Sequence, residues 1–192
     1  MAGFIIINGM PGAGKSTLME ELAHDLNIGH LSKDSIKELL GDTLGIPKNE
    51  ADNRRYGSAS SDALFAIMNT IADSQDVFII ESAFWADIAS PQFTALLAQH
   101  DHVALIQVHV TCQPEILAER FNARIAAGKR HAVHYDKLYT DDALDMLTQR
   151  YRPLEIEGVT CLPYDTTSID TANYKQLLGA ITTWRDAYET TN

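Results

Sequence analysis

Cysteine is scarce in this chain of 192 residues, which has only Cys112 and Cys161. Two thiols make no disulfide framework, and neither has the company that a metal site needs. Both lie in or beside strand-like runs and read as small, buried apolar residues of a reducing compartment. Positive charge is scarce as well: 15 Lys and Arg stand against 26 Asp and Glu, a formal net charge of -11. That balance disfavours a broad footprint for nucleic acid or an anionic membrane, though a local basic cleft inside an acidic shell is compatible with it. Long apolar runs are missing too. Phe4-Ile5-Ile6-Ile7 is too short for a signal peptide and follows no basic segment, and no later run nears membrane-spanning length. The expectation is a cytoplasmic protein with no membrane partner. Internal repeats and low-complexity tracts are absent, and 45% of the residues are hydrophobic, so residues 1–192 read as one domain able to bury a full core.

What is present begins with Gly9-Met10-Pro11-Gly12-Ala13-Gly14-Lys15-Ser16-Thr17, which fits the phosphate-loop pattern G-x-x-x-x-G-K-[ST]. Glycines let successive backbone N–H groups point into one concavity, where they cradle phosphate. The dipole of a following helix adds positive potential, Lys15 supplies a point charge, and the Ser16 hydroxyl can ligate magnesium. The context is the required one, because a β-branched run ends at the loop and Leu18, Leu22 and Leu26 then recur at helical spacing.

Downstream, His30-Leu31-Ser32 reads as a short strand and Asp34 opens a helix in which Ser35 and Glu38 have capping-box spacing. Asp34 is either one more acid at a helix N-terminus or a carboxylate placed to accept a proton from an attacking hydroxyl. Residues 41–53 read as a loop with one turn of helix, and 58–74 as a helix. Arg54 and Arg55 are a solvated helix start or an anchor for an anionic group. Val77 to Ile80 is a strand covered on both faces, ending at Glu81, which either forms a structural ion pair or holds magnesium opposite the loop serine. Phe84 and Trp85 cover the core or wall an acceptor pocket. Ser90-Pro91 has the form of a cap and a first-turn proline. Val103 to Val110 is a further strand, whose His109 reads as a strand-end or core histidine. The helix from Pro114 carries Arg120 and Arg124 four residues apart, a spacing also met on solvated surfaces. Gly128 to Tyr139, with Lys129, Arg130 and His131, suits a mobile lid over phosphates. A helix from Asp141 to Arg152, a strand from Val159 to Tyr164, a turn at Asp165-Thr166-Thr167 and a closing helix complete the pattern. Strands and helices alternating at these lengths mean an α/β parallel sheet with helices on both sides.

These ordered marks resemble the small P-loop kinases: the 5′-hydroxyl kinase domain of polynucleotide kinases, the zeta-toxin-like kinases and related small-molecule kinases. The resemblance implies a three-layer P-loop fold with five parallel strands in the order 2-3-1-4-5 and a lid at about 126–140. It implies ATP and Mg²⁺ as cofactors and an acceptor hydroxyl on a small molecule. ATP is bound by Gly9, Pro11, Gly12, Ala13, Gly14, Lys15, Ser16, Thr17, Arg120, Asp165 and Thr166. The metal is held by Ser16 and Glu81, where many relatives have Asp. Lys15, Asp34 and Arg124 are catalytic, with Asp34 the general base. Asp34, Lys37, Arg54, Arg55 and Trp85 meet the acceptor. Lys37 stands where polynucleotide kinases look for arginine, which alone makes a bidentate contact. An ATPase switch acting on a protein partner and a polynucleotide 5′-hydroxyl kinase are the alternatives.

Overall fold

Alternation in the first strand sets the layers. In β1 (Gly3–Gly9) every residue is buried, and Phe4 and Ile6 face one core while Ile5 and Ile7 face another. A strand apolar on both faces is stable only at the centre of a sheet with a helical layer on each side. The structure is a computed structural model that describes residues 2–134, 139–140, 147–168 and 170–191. The elements that follow β1 are α1 (Lys15–Leu26), β2 (Gly29–Ser32), α2 (Lys33–Leu44), α3 (Glu50–Ile71), β3 (Val77–Glu81), α4 (Ala86–Gln99), β4 (Ala104–Thr111), α5 (Pro114–Ala126), β5 (Thr160–Asp165) and α6 (Thr171–Thr191). The strands form one parallel sheet in the order β2-β3-β1-β4-β5, as the sequence implies.

On one face α3 and α4 cover the sheet through Leu64, Met68, Phe93 and Leu96. On the other, Leu18 and Leu22 of α1, Leu117 of α5 and Leu177 and Ile181 of α6 close the core. Each such side chain taken from water contributes roughly 1.5–3 kcal/mol. The sheet therefore holds the C-terminal ends of β1, β2 and β3 rigidly at one edge, where the phosphate loop and Glu81 stand.

Several local expectations need correction. The cap of α2 is Ser32, whose side chain accepts from the Asp34 amide at 3.2 Å, so Ser35 lies inside the first turn. Helix α2 runs to Leu44 and α3 starts at Glu50, which shrinks the expected loop to residues 45–49. Asn49 caps α3 by accepting from the Asp52 amide at 2.9 Å, so Arg54 and Arg55 sit within the helix. Ser90-Pro91 is no cap either. Helix α4 begins at Ala86 and carries Pro91 in its interior, while the Ser90 hydroxyl accepts from the Glu155 amide at 3.0 Å. Both cysteines are unpaired, but Cys161 is exposed because β5 is an edge strand with only intermediate and exposed positions. Of the helix expected over 141–152, residues 141–146 lie outside the described residues, as do 135–138 of the lid; 147–150 are helical. Among the described residues no helix is long and apolar enough to cross a membrane.

Candidate functional site

The phosphate loop is shaped by two close approaches. Gly9 has φ 148° and faces the Val110 carbonyl oxygen, into which a Cβ would run; Gly12 has φ 91° and lies against Leu117 and Phe121 of α5. The loop is thus clamped between β4 and α5, and only glycine fits the two contacts. Ala13 is buried, and Thr166 donates from its hydroxyl to the Ala13 carbonyl at 2.8 Å, fastening the loop to the turn after β5. Tyr139 does the same from the lid. Its ring stacks on Phe121 with centroids 4.1 Å apart, and its hydroxyl donates to the Pro11 carbonyl at 3.3 Å.

Lys15 is buried at the first position of α1. Its ammonium donates to the Met10 carbonyl at 3.0 Å and lies 3.7 Å from Glu81 Oε1. Burial pulls its pKa below the ordinary lysine value, and the Glu81 carboxylate offsets part of that. Glu81, also buried, accepts from the Ser32 hydroxyl at 2.7 Å through its other oxygen. Ser32 in turn accepts from the Asp34 amide. A run of contacts therefore joins Lys15, Glu81, Ser32 and the backbone of Asp34 across the ends of three strands.

The Asp34 carboxylate, 45% exposed, accepts from Arg130 at 3.1 Å. Burial pushes its pKa up, but His134, Arg130 and Lys15 outweigh that and hold it below the usual carboxylate value. Asp34 is thus ionised at neutral pH. It shares a cavity of about 220 Å³ with Ser16, Arg124, Lys129 and Arg130. Ser16 and Thr17 are exposed at the start of α1, and Arg124 is exposed on α5.

Arg120 stands apart from this group. It donates to the carbonyls of Thr166 at 2.9 Å and Thr167 at 3.4 Å, and Asp165 accepts from the Thr167 amide at 2.8 Å. The turn and Arg120 form one unit at the open side of the loop.

A second cavity, of about 360 Å³, lies between α2, α3 and the turn after β3, with Lys33, Lys37, Arg54 and Trp85 in its lining. Lys37 donates to Asn53 at 2.7 Å. Trp85 is 42% exposed, and the Arg150 guanidinium stands over its ring at 4.9 Å. Arg55 does not join them: it lies 3.7 Å from Asp52, with a side chain 83% exposed. His109 lines a different cavity, behind Met10.

Sequence reasoning passes over Ser32, Lys33, His134 and Tyr139. Ser32 carries a legible signal, a cap residue directly before a helix. The other three are brought to the site by tertiary packing and have no local signature.

The family model described as AAA domain matches residues 5–140. A candidate kinase from Chloroflexus aurantiacus is 31% identical, with a TM-score of 0.82 over 94% of this chain and 97% of that one. A gluconokinase from Sinorhizobium meliloti is 17% identical, with a TM-score of 0.58 over 99% and 97%. Kti12 of Chaetomium thermophilum, in complex with ADP-AlF3, is 17% identical, with a TM-score of 0.60 over 94% and 97%. At 17% these last two are likenesses of fold. No curated protein matches the chain.

Proposed function

The chain belongs to the P-loop family whose model is described as AAA domain, and from that premise we propose that it is an ATP-dependent kinase acting on a hydroxyl of a small-molecule acceptor. One observation carries the reading: the contacts from Lys15 through Glu81 and Ser32 to Asp34. They tie a buried ammonium in the phosphate loop to the backbone of Asp34, the residue whose ionised carboxylate faces the loop's cavity. A protein that passes phosphate only to water needs the first and has no need of an acceptor base at Asp34.

The chain's own groups divide the work. Loop amides and Lys15 hold the β- and γ-phosphates, with Lys15 exchanging the Met10 carbonyl for phosphate oxygens. The Thr166 turn held by Arg120 lies against the adenine. Ser16 and Glu81 offer a hydroxyl and a carboxylate, the hard oxygen donors that Mg²⁺ takes. When bound, that ion neutralises phosphate charge. Asp34 orients the acceptor hydroxyl in line with the γ-phosphorus. The acceptor oxygen forms its bond to phosphorus as the bond to the bridging β,γ-oxygen breaks, ADP leaves, and the proton passes to Asp34 and then to solvent. A carboxylate with a depressed pKa is a weak base, so its main service is orientation, with proton transfer late. Arg124 and Arg130 balance charge on the transferring group.

Purified protein, ATP and Mg²⁺ with a panel of nucleosides, sugars, hydroxy acids, antibiotics and a 5′-hydroxyl oligonucleotide provide the test. Turnover should rise with one acceptor. Asp34→Asn should cut that transfer by about 10²–10⁴-fold while ATP affinity persists, and Lys15→Ala should abolish it. Hydrolysis that ignores every acceptor and survives Asp34→Asn would sink the kinase reading in favour of an ATPase switch.

A further inference from the structure

The cavity between α2 and α3 reverses the sign of the molecule. Acids outnumber bases 26 to 15 in the chain, yet among the described residues the charged ones lining this cavity are Lys33, Lys37 and Arg54, with no carboxylate beside them. Arg150, held over Trp85 at the rim, adds a fourth cation.

Two of the three, Lys33 and Arg54, are poorly neutralised among the described residues. Lys33 is half-buried at the start of α2 and makes no hydrogen bond or ion pair with a described residue. Its neighbour Asp34 is turned toward Arg130. Burial holds the Lys33 ammonium below its ordinary pKa, and the Asp34 charge opposes this. Lys37 donates to the neutral amide oxygen of Asn53. Among the described residues Arg54 has Glu50 at 3.8 Å, an exposed pair on one helix face, and such pairs are readily surrendered. A partly desolvated ammonium with no counter-ion is a standing cost in the free protein. A bound anion removes it. The other polar lining, including Ser58, Ser61 and Gln92, suits hydroxyl groups. The volume suits a metabolite-sized molecule.

Resting on the kinase reading above, we propose that the acceptor is itself an anion: a small polyhydroxylated molecule whose carboxylate or phosphate group is bound by Lys33, Lys37 and Arg54. This group is distinct from the hydroxyl that takes the phosphoryl group, and it anchors the acceptor so that the hydroxyl faces Asp34. Specificity then follows from charge first and hydroxyl pattern second.

The test uses matched pairs, D-gluconate against sorbitol and D-ribose 5-phosphate against D-ribose. Binding to the wild type, Lys33→Met and Arg54→Gln is measured by calorimetry, followed by ATP turnover with the same compounds. At least one anion should bind about tenfold or more tightly than its neutral partner, and either substitution should erase most of that preference. Arg54 is 73% exposed in its side chain, so its variant tests the idea even where Lys33→Met misfolds. The two pairs separate carboxylate from phosphate as the recognised group. Equal binding of charged and neutral partners, or no anion bound at about 10 mM, overturns the proposal. Turnover of neutral acceptors or of the oligonucleotide as fast as the anions overturns it while the kinase reading stands. Charge-dependent binding together with ATP hydrolysis that ignores every compound and survives Asp34→Asn upholds the anion site and removes the kinase reading instead.

Discussion

A single hydroxyl, that of Ser32, holds two parts of the candidate site in register. It donates to Glu81 at 2.7 Å and accepts from the Asp34 amide at 3.2 Å, so it both aims the strand-end carboxylate and caps α2. Ser32→Ala should cost about 1 kcal/mol through the lost cap, lowering the melting temperature by about 2–4 °C. It should also lower kcat more than it raises KM for ATP, because Glu81 and Asp34 would both shift against the loop. Ser32→Thr, which keeps the hydroxyl, should restore most of kcat. A melt combined with steady-state kinetics on both variants checks this, and equal kcat in Ser32→Ala and wild type would reduce the residue to a cap. At this scale the sequence is most informative where chemistry is local. The loop glycines, Lys15 and Ser16 are consecutive and can be read directly, whereas the contacts that join Ser32 to Glu81 exist only once β2 and β3 lie side by side.

Among the elements, the segment 130–134 and α2 behave as a strap and its rail. Arg130 reaches Asp34, His134 lies 3.0 Å from Glu38, His131 lies 3.1 Å from Asp42, and buried Val133 packs on Gly41. These positions of α2 recur about one turn apart and so share a face. Gly41 reads in sequence as the start of a loop, but here its missing side chain is the seat for Val133, and a Cβ would come within 2.8 Å of it. That tertiary contact is why the helix boundary is not legible locally. The strap also carries a pH dependence. Burial pulls the His134 pKa below the ordinary value of 6.5, with Arg130 and Lys37 acting the same way and Asp34 and Glu38 opposing. The folded state therefore resists a proton that the unfolded chain accepts, so stability is lost as pH falls below about 6.5 and levels off beneath the depressed value. Thermal melts between pH 7.5 and about 5 should fall less steeply for His134→Gln than for wild type; parallel curves would mean that the histidine does not titrate across folding.

At the level of the whole molecule, two cores divided by one sheet carry the stability. Phe93 is fully buried and packs edge-on against Phe65 and Phe84, with centroids 4.9 and 5.3 Å away. Phe93→Ala should cost about 3–5 kcal/mol in denaturant unfolding, and a loss under about 1 kcal/mol would show that this layer can collapse around the gap. Apolar runs such as Ile5-Ile6-Ile7 and Val77-Phe78-Ile79-Ile80 made a parallel sheet covered on both faces legible, while the strand order came through the resemblance carried by the phosphate loop and the marks that follow it. The cavity between α2 and α3 was legible in part: Lys37, Arg54 and Trp85 were grouped from the sequence and share its lining, whereas Lys33 joins them and Arg55 turns away only in three dimensions. Cys161 was misread for a related reason, because nothing local marks β5 as the edge. The central place of β1 has a further consequence, in time. On a ribosome the phosphate-loop sequence is among the first to emerge, yet Gly9 takes its shape against Val110 and Gly12 against α5, both from the later half of the chain. Until those segments have been synthesised, the loop has its residues but not its walls. A nascent chain thus cannot capture nucleotide before the sheet that must hold it exists.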